Sequence, residues 1–430
     1  MSDQRKHPAR GDAFDSPSAP VAPSRRRFLT HTLGIGGGLV AYGATGGAAL
    51  AATAGGAAKS DPAQAELPEA VRWKEADAFV LHGRSPITLE SKRSAFGSSG
   101  ITPANRLYVR NNLPVPDARI VADPNAWELT VEGVEQPRTL SVAELKTMGL
   151  TSVAMVLQCS GNGRGFFAHE TSGSQWRTGA AGNVIWSGVP LKTVVEALGG
   201  PVDGVKFVTS TGGEALPEGL DPDLVQVERS IPVDKGLDDV LLAWEMNGAP
   251  IPLAHGGPLR VIVPGYYGCN NVKYVKRVAL TSAESTAKIQ QTSYRIRPIG
   301  VSGAPDQPSM WDMNVKSWIT GPGADESLPV KSGRQVIHGV AFGGNEAVES
   351  VDVSIDGGKT WETAELIGPD MGPYAWRTFA LETNLPAGTH RLASRATSAS
   401  GERQPEARQE NERGYGNNSW RDHALMVEVG

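Results

Sequence analysis

Apolar and polar positions alternate through most of the chain, and the period is mainly that of β-strands. Trp127 to Gly133 alternates and predicts a strand. Val156-Leu157-Gln158 ends an apolar, β-branched run that predicts another, and Gly161-Asn162-Gly163 turns the chain directly after it. Val205 to Ser210 predicts a third. Helical signals are short. Ser141, with Glu144 three residues on, predicts an N-cap and a helix reaching Met148. Leu191 to Leu198 predicts a second helix, ended by Gly199-Gly200. Ala57 to about Lys92 has only weak helical periodicity and is expected as an arm over the surface. Gly300 to about Pro308 reads as a linker. From Met313 on, strands and turns alternate. Val336–Phe342 and Val348–Ile355 precede an Asp356-Gly357-Gly358 hairpin turn; Trp376–Leu381, Gly388–Ala396 and Ala424–Val429 follow. These make about seven strands, the count of an immunoglobulin-like sandwich. The expected class is α+β, a mixed α/β domain followed by that β-sandwich.

The N-terminus has a different character. Residues 1 to about 23 are polar and predict disorder. Ser24-Arg25-Arg26-Arg27-Phe28-Leu29 then opens a glycine-diluted apolar stretch from about Leu33 to Leu50, with small residues through Ala54. This pattern is a twin-arginine export signal over residues 1–54. The implied location is the periplasm. That route exports folded proteins, which suits a cofactor inserted before export. The remaining expected boundaries are an arm at 55–104, a catalytic domain at 105–305 and the sandwich at 310–430.

Composition narrows the function. With 51 glycines, 30 prolines and 20% charged residues, the chain favours β-rich architecture over long helices. A net charge of −5 offers no footprint for nucleic acid. Two cysteines exclude a Cys₄ zinc or iron–sulfur site within one chain. Without a Cys-x-x-Cys-His motif no c-type haem is attached, so no haem is expected in this chain. No long apolar run after the N-terminal region predicts a membrane span.

Candidate chemistry centres on Cys159, delivered by a strand into the loop Ser160-Gly161-Asn162-Gly163-Arg164. Two readings stand: a structural cysteine at a strand end, or a thiolate favoured by the Arg164 guanidinium. Arg110 lies in Leu107-Tyr108-Val109-Arg110-Asn111-Asn112-Leu113-Pro114-Val115-Pro116, where the prolines force extended geometry that suits an anion contact. His255 and Arg260 share a Gly/Pro loop before an apolar run. Cys269, in Gly268-Cys269-Asn270-Asn271-Val272-Lys273, reads either as a small buried side chain or as a disulfide partner of Cys159.

These stretches, in this order, resemble the sulfite oxidase family of molybdopterin enzymes over roughly residues 105–430. The Cys159 loop is similar to the family's L-Q-C-x-G-N-x-R pattern, which implies that Cys159 binds molybdenum. A soft thiolate suits that metal. The Arg110 stretch resembles R-N-H-x-P-x-P and implies a substrate-facing arginine, with Tyr108, Val109, Asn111 and Asn112 beside the pterin. The resemblance further implies that His255, Arg260, Asn271, Val272 and Lys273 hold one molybdopterin and its phosphate. Tyr294 and Arg413 (in Asn411-Glu412-Arg413-Gly414) are implied at the reacting end, with Arg164 and with Trp176 of Gln175-Trp176-Arg177. Trp186 is expected in the core, and the C-terminal domain is implied to form a homodimer.

The implied reaction is oxidation of reduced sulfur with oxygen drawn from water. Electrons would leave to a c-type cytochrome partner. Two departures refine the expectation. Asn112, Asn270 and Asn271 stand where relatives carry His or Arg, and Ser293 replaces an acid before Tyr294. A less positive pocket attracts free sulfite poorly. The substrate is therefore expected as sulfane sulfur on a carrier protein, as for the molybdenum subunits of bacterial sulfane dehydrogenases. The homodimer would then sit within a hetero-oligomer. A sulfite dehydrogenase and a partner-binding scaffold derived from such an enzyme are the alternatives.

Overall fold

A computed structural model describes residues 67–326 and 329–430. The expected export signal, residues 1–54, lies outside them. Three sheets make up the N-terminal two-thirds. In the first, Arg138–Ser141, Glu128–Glu132, Val275–Thr281, Phe207–Gly212 and Glu228–Pro232 lie side by side in that order. Only the central Glu128–Glu132 and Val275–Thr281 pair is parallel. The second sheet runs Ala249–Pro250, Leu241–Met246, Ala181–Pro190 and Thr151–Gln158, with Arg260–Ile262 also paired to Leu241–Met246. Trp127, Leu129, Val131, Val208, Val278, Val189, Leu242 and Val261 come from both sheets and share one buried cluster. Burial of this apolar surface is the main force joining the two sheets.

Local chemistry explains the short helices. Val142–Thr147 is capped by Ser141, whose Oγ accepts the Glu144 N–H at 3.2 Å while Glu144 accepts the Ser141 N–H at 2.8 Å. Leu191–Ala197 buries Leu191, Val194 and Val195 and stops before Gly199 and Gly200, both at positive φ. An L side chain disfavours that conformation.

The segment expected as a surface arm is built into the fold. Phe79–Arg84 and Ile87–Ser91 form an antiparallel hairpin, and Ile87–Ser91 pairs onward with Val109–Arg110. Every residue of Ile87–Ser91 is buried. The helical periodicity misled because both faces of that strand are covered. Alternation then carries no signal.

The C-terminal region is two four-stranded sheets. One contains Lys316–Gly321, Gly333–Phe342, Arg377–Leu385 and Glu365–Ile367. The other contains Glu362–Thr363, Val348–Ser354, Gly388–Ser398 and Leu425–Val429. Ile319, Ile337, Ala341 and Phe379 of the first share a buried cluster with Val351, Val353, Leu392, Ala396 and Val427 of the second. Asp356 folds the expected hairpin turn: its carboxylate accepts the Lys359 and Thr360 N–H groups, each at 3.0 Å. Among the described residues no helix is long and apolar enough to cross a membrane.

Candidate active site

Thr151–Gln158 is exposed at its start and buried at its end, so the strand carries Cys159 inward. The Cys159 N–H donates to Ala180 O at 2.9 Å, and Cys159 O accepts the Asn162 N–H at 2.9 Å. Gly163 completes the turn at φ 96°. Cys159 thereby stands on the wall of a cleft with about 640 Å³ of atom-free space, open solvent included. The other walls come from Tyr108, Arg110, Asn111 and Asn112, from His255 and Arg260, from the 268–273 turn, and from Tyr294. Strand alternation sorts the 108–110 stretch: Tyr108 and Arg110 face the cleft while Val109 packs with Leu89 and Ala254.

One end of the cleft is rich in cations. Arg260 is buried; its Nε donates to Asn271 O at 3.1 Å and one Nη to His255 O at 2.8 Å. Lys273 Nζ donates to Ala254 O at 2.6 Å and to Asn111 Oδ1. Burial is the main force on these groups. It lowers Arg260 to about 10 and holds Lys273 well below the usual lysine range, with Arg260 adding to the effect. His255 is pushed well down by burial and then by Lys74, Lys273 and Arg260, so it is neutral at neutral pH. Glu214 supplies the one carboxylate among the described lining residues, and burial raises it to about 7. His255 Nε2 and Asn111 Nδ2 are buried without partners. Unpartnered buried polar atoms beside clustered cations fit an anionic ligand.

The other end holds the thiols and a phenol. Cys159 and Cys269 are both free, so the disulfide reading is not realised. Cys269 Sγ lies 3.6 Å from Met310 O, and burial pushes its thiol up to about 11. The Tyr294 hydroxyl lies 3.5 Å from Asn112 Oδ1, and its ring stacks on Tyr415 at 5.5 Å. The Arg229 guanidinium sits over the same ring at 5.5 Å.

Four expected site residues do not line the cleft. Val109 faces the hydrophobic cluster. Arg164 is buried against Gly161 and Gly173 and donates to Arg413 O at 2.8 Å and Ser174 O at 3.0 Å. It fastens the loop through these two backbone contacts. Trp176 is fully buried one layer behind Tyr108, with ring centroids 6.4 Å apart. Arg413 sits over Tyr415, its guanidinium 5.8 Å from that ring and its Nε buried without a partner. Asn270 and Asn271 prove structural. Asn270 Oδ1 accepts from Arg229 at 3.0 Å, and Asn271 Oδ1 accepts the Val263 N–H at 2.8 Å. Sequence reasoning missed Glu214, Ser160, Val227 and the cleft-facing side of Cys269. Of these, only Cys269 carried a signal, as a second thiol in a cofactor-like stretch.

Among the described residues no three His, Cys, Asp or Glu side chains converge to cage a metal. A metal at Cys159 would need its other ligands delivered with it. A dithiolene pterin would do so, and Arg260, Lys273 and His255 would hold its phosphate. The residues present therefore fit a molybdenum–molybdopterin group.

Comparison with known proteins agrees. Residues 112–289 match the oxidoreductase molybdopterin binding domain, and 307–428 match the Mo-co oxidoreductase dimerisation domain. Mitochondrial sulfite oxidase of Rattus norvegicus is 34% identical over 395 residues, covering 86% of this chain and 69% of the relative. The Homo sapiens enzyme is 35% identical over 336 residues, covering 73% of this chain and 59% of the relative. The crystal structure of the sulfane dehydrogenase SoxCD from Paracoccus pantotrophus superposes with a TM-score of 0.67 at 27% identity. That match covers 81% of this chain and 88% of the other. A thiol-bearing strand end, a cation-rich cleft and two matching domain families lead to one assignment: the chain belongs to the sulfite oxidase family of molybdenum oxidoreductases.

Proposed function

We propose that the protein oxidises sulfane sulfur carried on a partner protein and passes the electrons to a c-type cytochrome. The observation that carries this reading is the makeup of the reacting end. Among the described lining residues Arg110 is the cation at that end and Asn112 stands beside it, while Arg164 and Arg413 lie outside the lining, on the Tyr415 ring at 5.3 and 5.8 Å. Such a site has less field to draw in a free dianion. The likeness to the sulfane dehydrogenase SoxCD supports the same reading.

When bound, molybdenum supplies a two-electron couple and oxygen-atom transfer to sulfur. Cys159 is the metal's protein ligand. His255, Arg260 and Lys273 hold the pterin and its phosphate, with Tyr108, Asn111, Asn112, Asn271 and Val272 around them. Arg110 donates to negative charge that builds on the sulfur oxyanion, and a fixed donor there is worth most when water is excluded. The Tyr294 phenol, kept protonated by burial, is a second donor at that end.

The twin-arginine pattern supports a periplasmic site of action, so the cytochrome and the carrier belong to that compartment. The dimerisation-domain match supports a homodimer of this chain within a larger complex. A free-sulfite dehydrogenase is the second reading, favoured by the relatives named sulfite oxidase. Turnover of the purified, molybdenum-loaded protein with sulfite and with carrier-bound sulfane separates them. The proposal expects the carrier-bound substrate to win by at least about tenfold in kcat/KM, near 1.4 kcal/mol of differential binding. Equal or greater efficiency on sulfite would establish the second reading.

A further inference from the structure

Lys74 is an amine that the fold buries without an acid, and burial holds its pKa well below the usual lysine range. It is fully buried, and its Nζ donates to Ala104 O at 2.5 Å and Leu107 O at 2.8 Å. The ammonium lies 4.5 Å from the Trp73 ring and 5.3 Å from the Phe79 ring. Among the described residues no carboxylate lies within ion-pair distance of it. Its field instead reaches the neutral His255 imidazole and the Lys273 amine, both members of the cleft's cation end, and disfavours a proton on either. Trp73 meets His255 edge-on at 6.2 Å. The segment around residues 71–79 therefore closes the back of that end.

The electrostatics are one-sided. Lys74, Arg260 and Arg110 all act on Lys273, and Glu214 is the one carboxylate among the described lining residues. A buried ammonium without a counter-ion is costly, so burial pushes the Lys74 and Lys273 amines toward their neutral forms, and a nearby anion would favour the charged forms. The chain's own side chains leave this unexplained. An anion at the cation end would balance it. The two carbonyls that Lys74 holds also matter, because they bracket the residues just before Tyr108. Fixing Ala104 and Leu107 fixes where the Tyr108–Asn112 stretch enters the cleft.

We propose that Lys74 is a positioning residue for the phosphate of the cofactor, and that the segment from Leu67 to Ser91 is part of the cofactor site. Lys74 acts from behind, through its charge and through its hold on the 104–107 carbonyls, and does not touch the ligand. The inference rests on the molybdopterin reading given above.

The test uses the full chain in cofactor-free and loaded forms, with Lys74→Gln, Lys74→Met and Lys74→Arg. Gln keeps a donor for the carbonyls and drops the charge. Met drops both, and Arg keeps both. Inorganic phosphate is titrated into the cofactor-free proteins and its binding read from the thermal midpoint. Molybdenum and released pterin are measured in the loaded proteins after extended dialysis. The expected result is phosphate binding weakened roughly tenfold in Lys74→Gln, the size of losing one unit charge several ångström away in a partly buried site. Pterin retention should fall with it, and Lys74→Arg should recover most of both. Phosphate affinity and pterin retention equal to the unaltered chain in Lys74→Gln would overturn the inference, even if Lys74→Met fails to fold. An unaltered chain that binds phosphate but never holds pterin would instead overturn the cofactor reading, and the phosphate titration would still decide the part played by Lys74.

Discussion

Gly179→Ala is a small change that the structure predicts to be severe. Gly179 is outside the positive-φ glycines, so alanine meets no backbone strain there. The cost is contact: an ideal Cβ would lie 1.7 Å from Ser91 O and 2.8 Å from Glu90 Cγ. Side-chain carbons essentially never approach closer than 3.0 Å, so the two backbones must part by more than 1 Å. That parting strains the Ser91 N–H to Gly179 O bond at 3.3 Å and the Gly179 N–H to Glu90 bond at 2.9 Å. Overpacking of this kind costs about 1–3 kcal/mol. Two weakened hydrogen bonds add about 1 kcal/mol each. The total of about 3–5 kcal/mol corresponds to a fall in Tm of about 5–10 °C for a unit of this size. The displacement also reaches Cys159, the proposed metal ligand, because the next residue, Ala180, accepts the Cys159 N–H. Calorimetry on cofactor-free protein checks the stability, and molybdenum content checks the site. Gly149→Ala is the control, since nothing lies within 4 Å of its Cβ position and only its φ of 132° is unfavourable; it should lose about 1 kcal/mol. A Gly179→Ala protein within about 1 kcal/mol of the unaltered one would refute the reasoning.

Three further outcomes are expected. Ser141→Ala removes one side of the capping box on Val142–Thr147 and should cost about 1 kcal/mol in denaturant unfolding, with molybdenum content unchanged. Arg164→Met frees the Arg413 and Ser174 carbonyls and should cost about 2–4 kcal/mol, with turnover per bound molybdenum unchanged; lost turnover at full stability would show a catalytic arginine. Glu214 is held near 7 when folded, above the usual 4.5. The native state therefore keeps the proton longer than the unfolded chain does. The stability this brings is complete below about 4.5 and is lost as pH rises through 7. Cofactor-free protein should weaken across that window relative to Glu214→Gln, and parallel thermal profiles would contradict the assignment.

How far the sequence could be read depended on where each signal resides. Local signals carried over directly: the Ser141/Glu144 box, the Gly199-Gly200 stop and the strand that ends at Cys159 all depend on neighbours in the chain. The resemblance placed the whole Tyr108–Asn112 stretch beside the cofactor, and only the strand geometry separates Val109, packed in the core, from the cleft-facing Tyr108 and Arg110. The remaining features depend on partners distant in sequence. Lys74 is buried by contacts with residues 104–107, about 30 positions away. Glu214 reaches the cleft through a loop without periodicity. Arg164 and Arg413 stood in the right motifs, but their direction is set by contacts some 249 residues apart, which spacing does not encode. Trp176 illustrates the same limit: an indole near a pocket in sequence is packed behind Tyr108 in space. Asn270 and Asn271 read as missing cations, yet each side chain is used up by a backbone or Arg229 contact.

The account stands or falls on whether Cys159 is the protein's bond to molybdenum. The direct measurement is metal and pterin analysis of the full chain, made where the pterin is synthesised, beside Cys159→Ser. The account predicts about one molybdenum and one pterin per chain, with the metal signal lost or its sulfur coordination altered in the variant. An unaltered protein that holds no molybdenum, or a variant whose metal spectrum is unchanged, would contradict it.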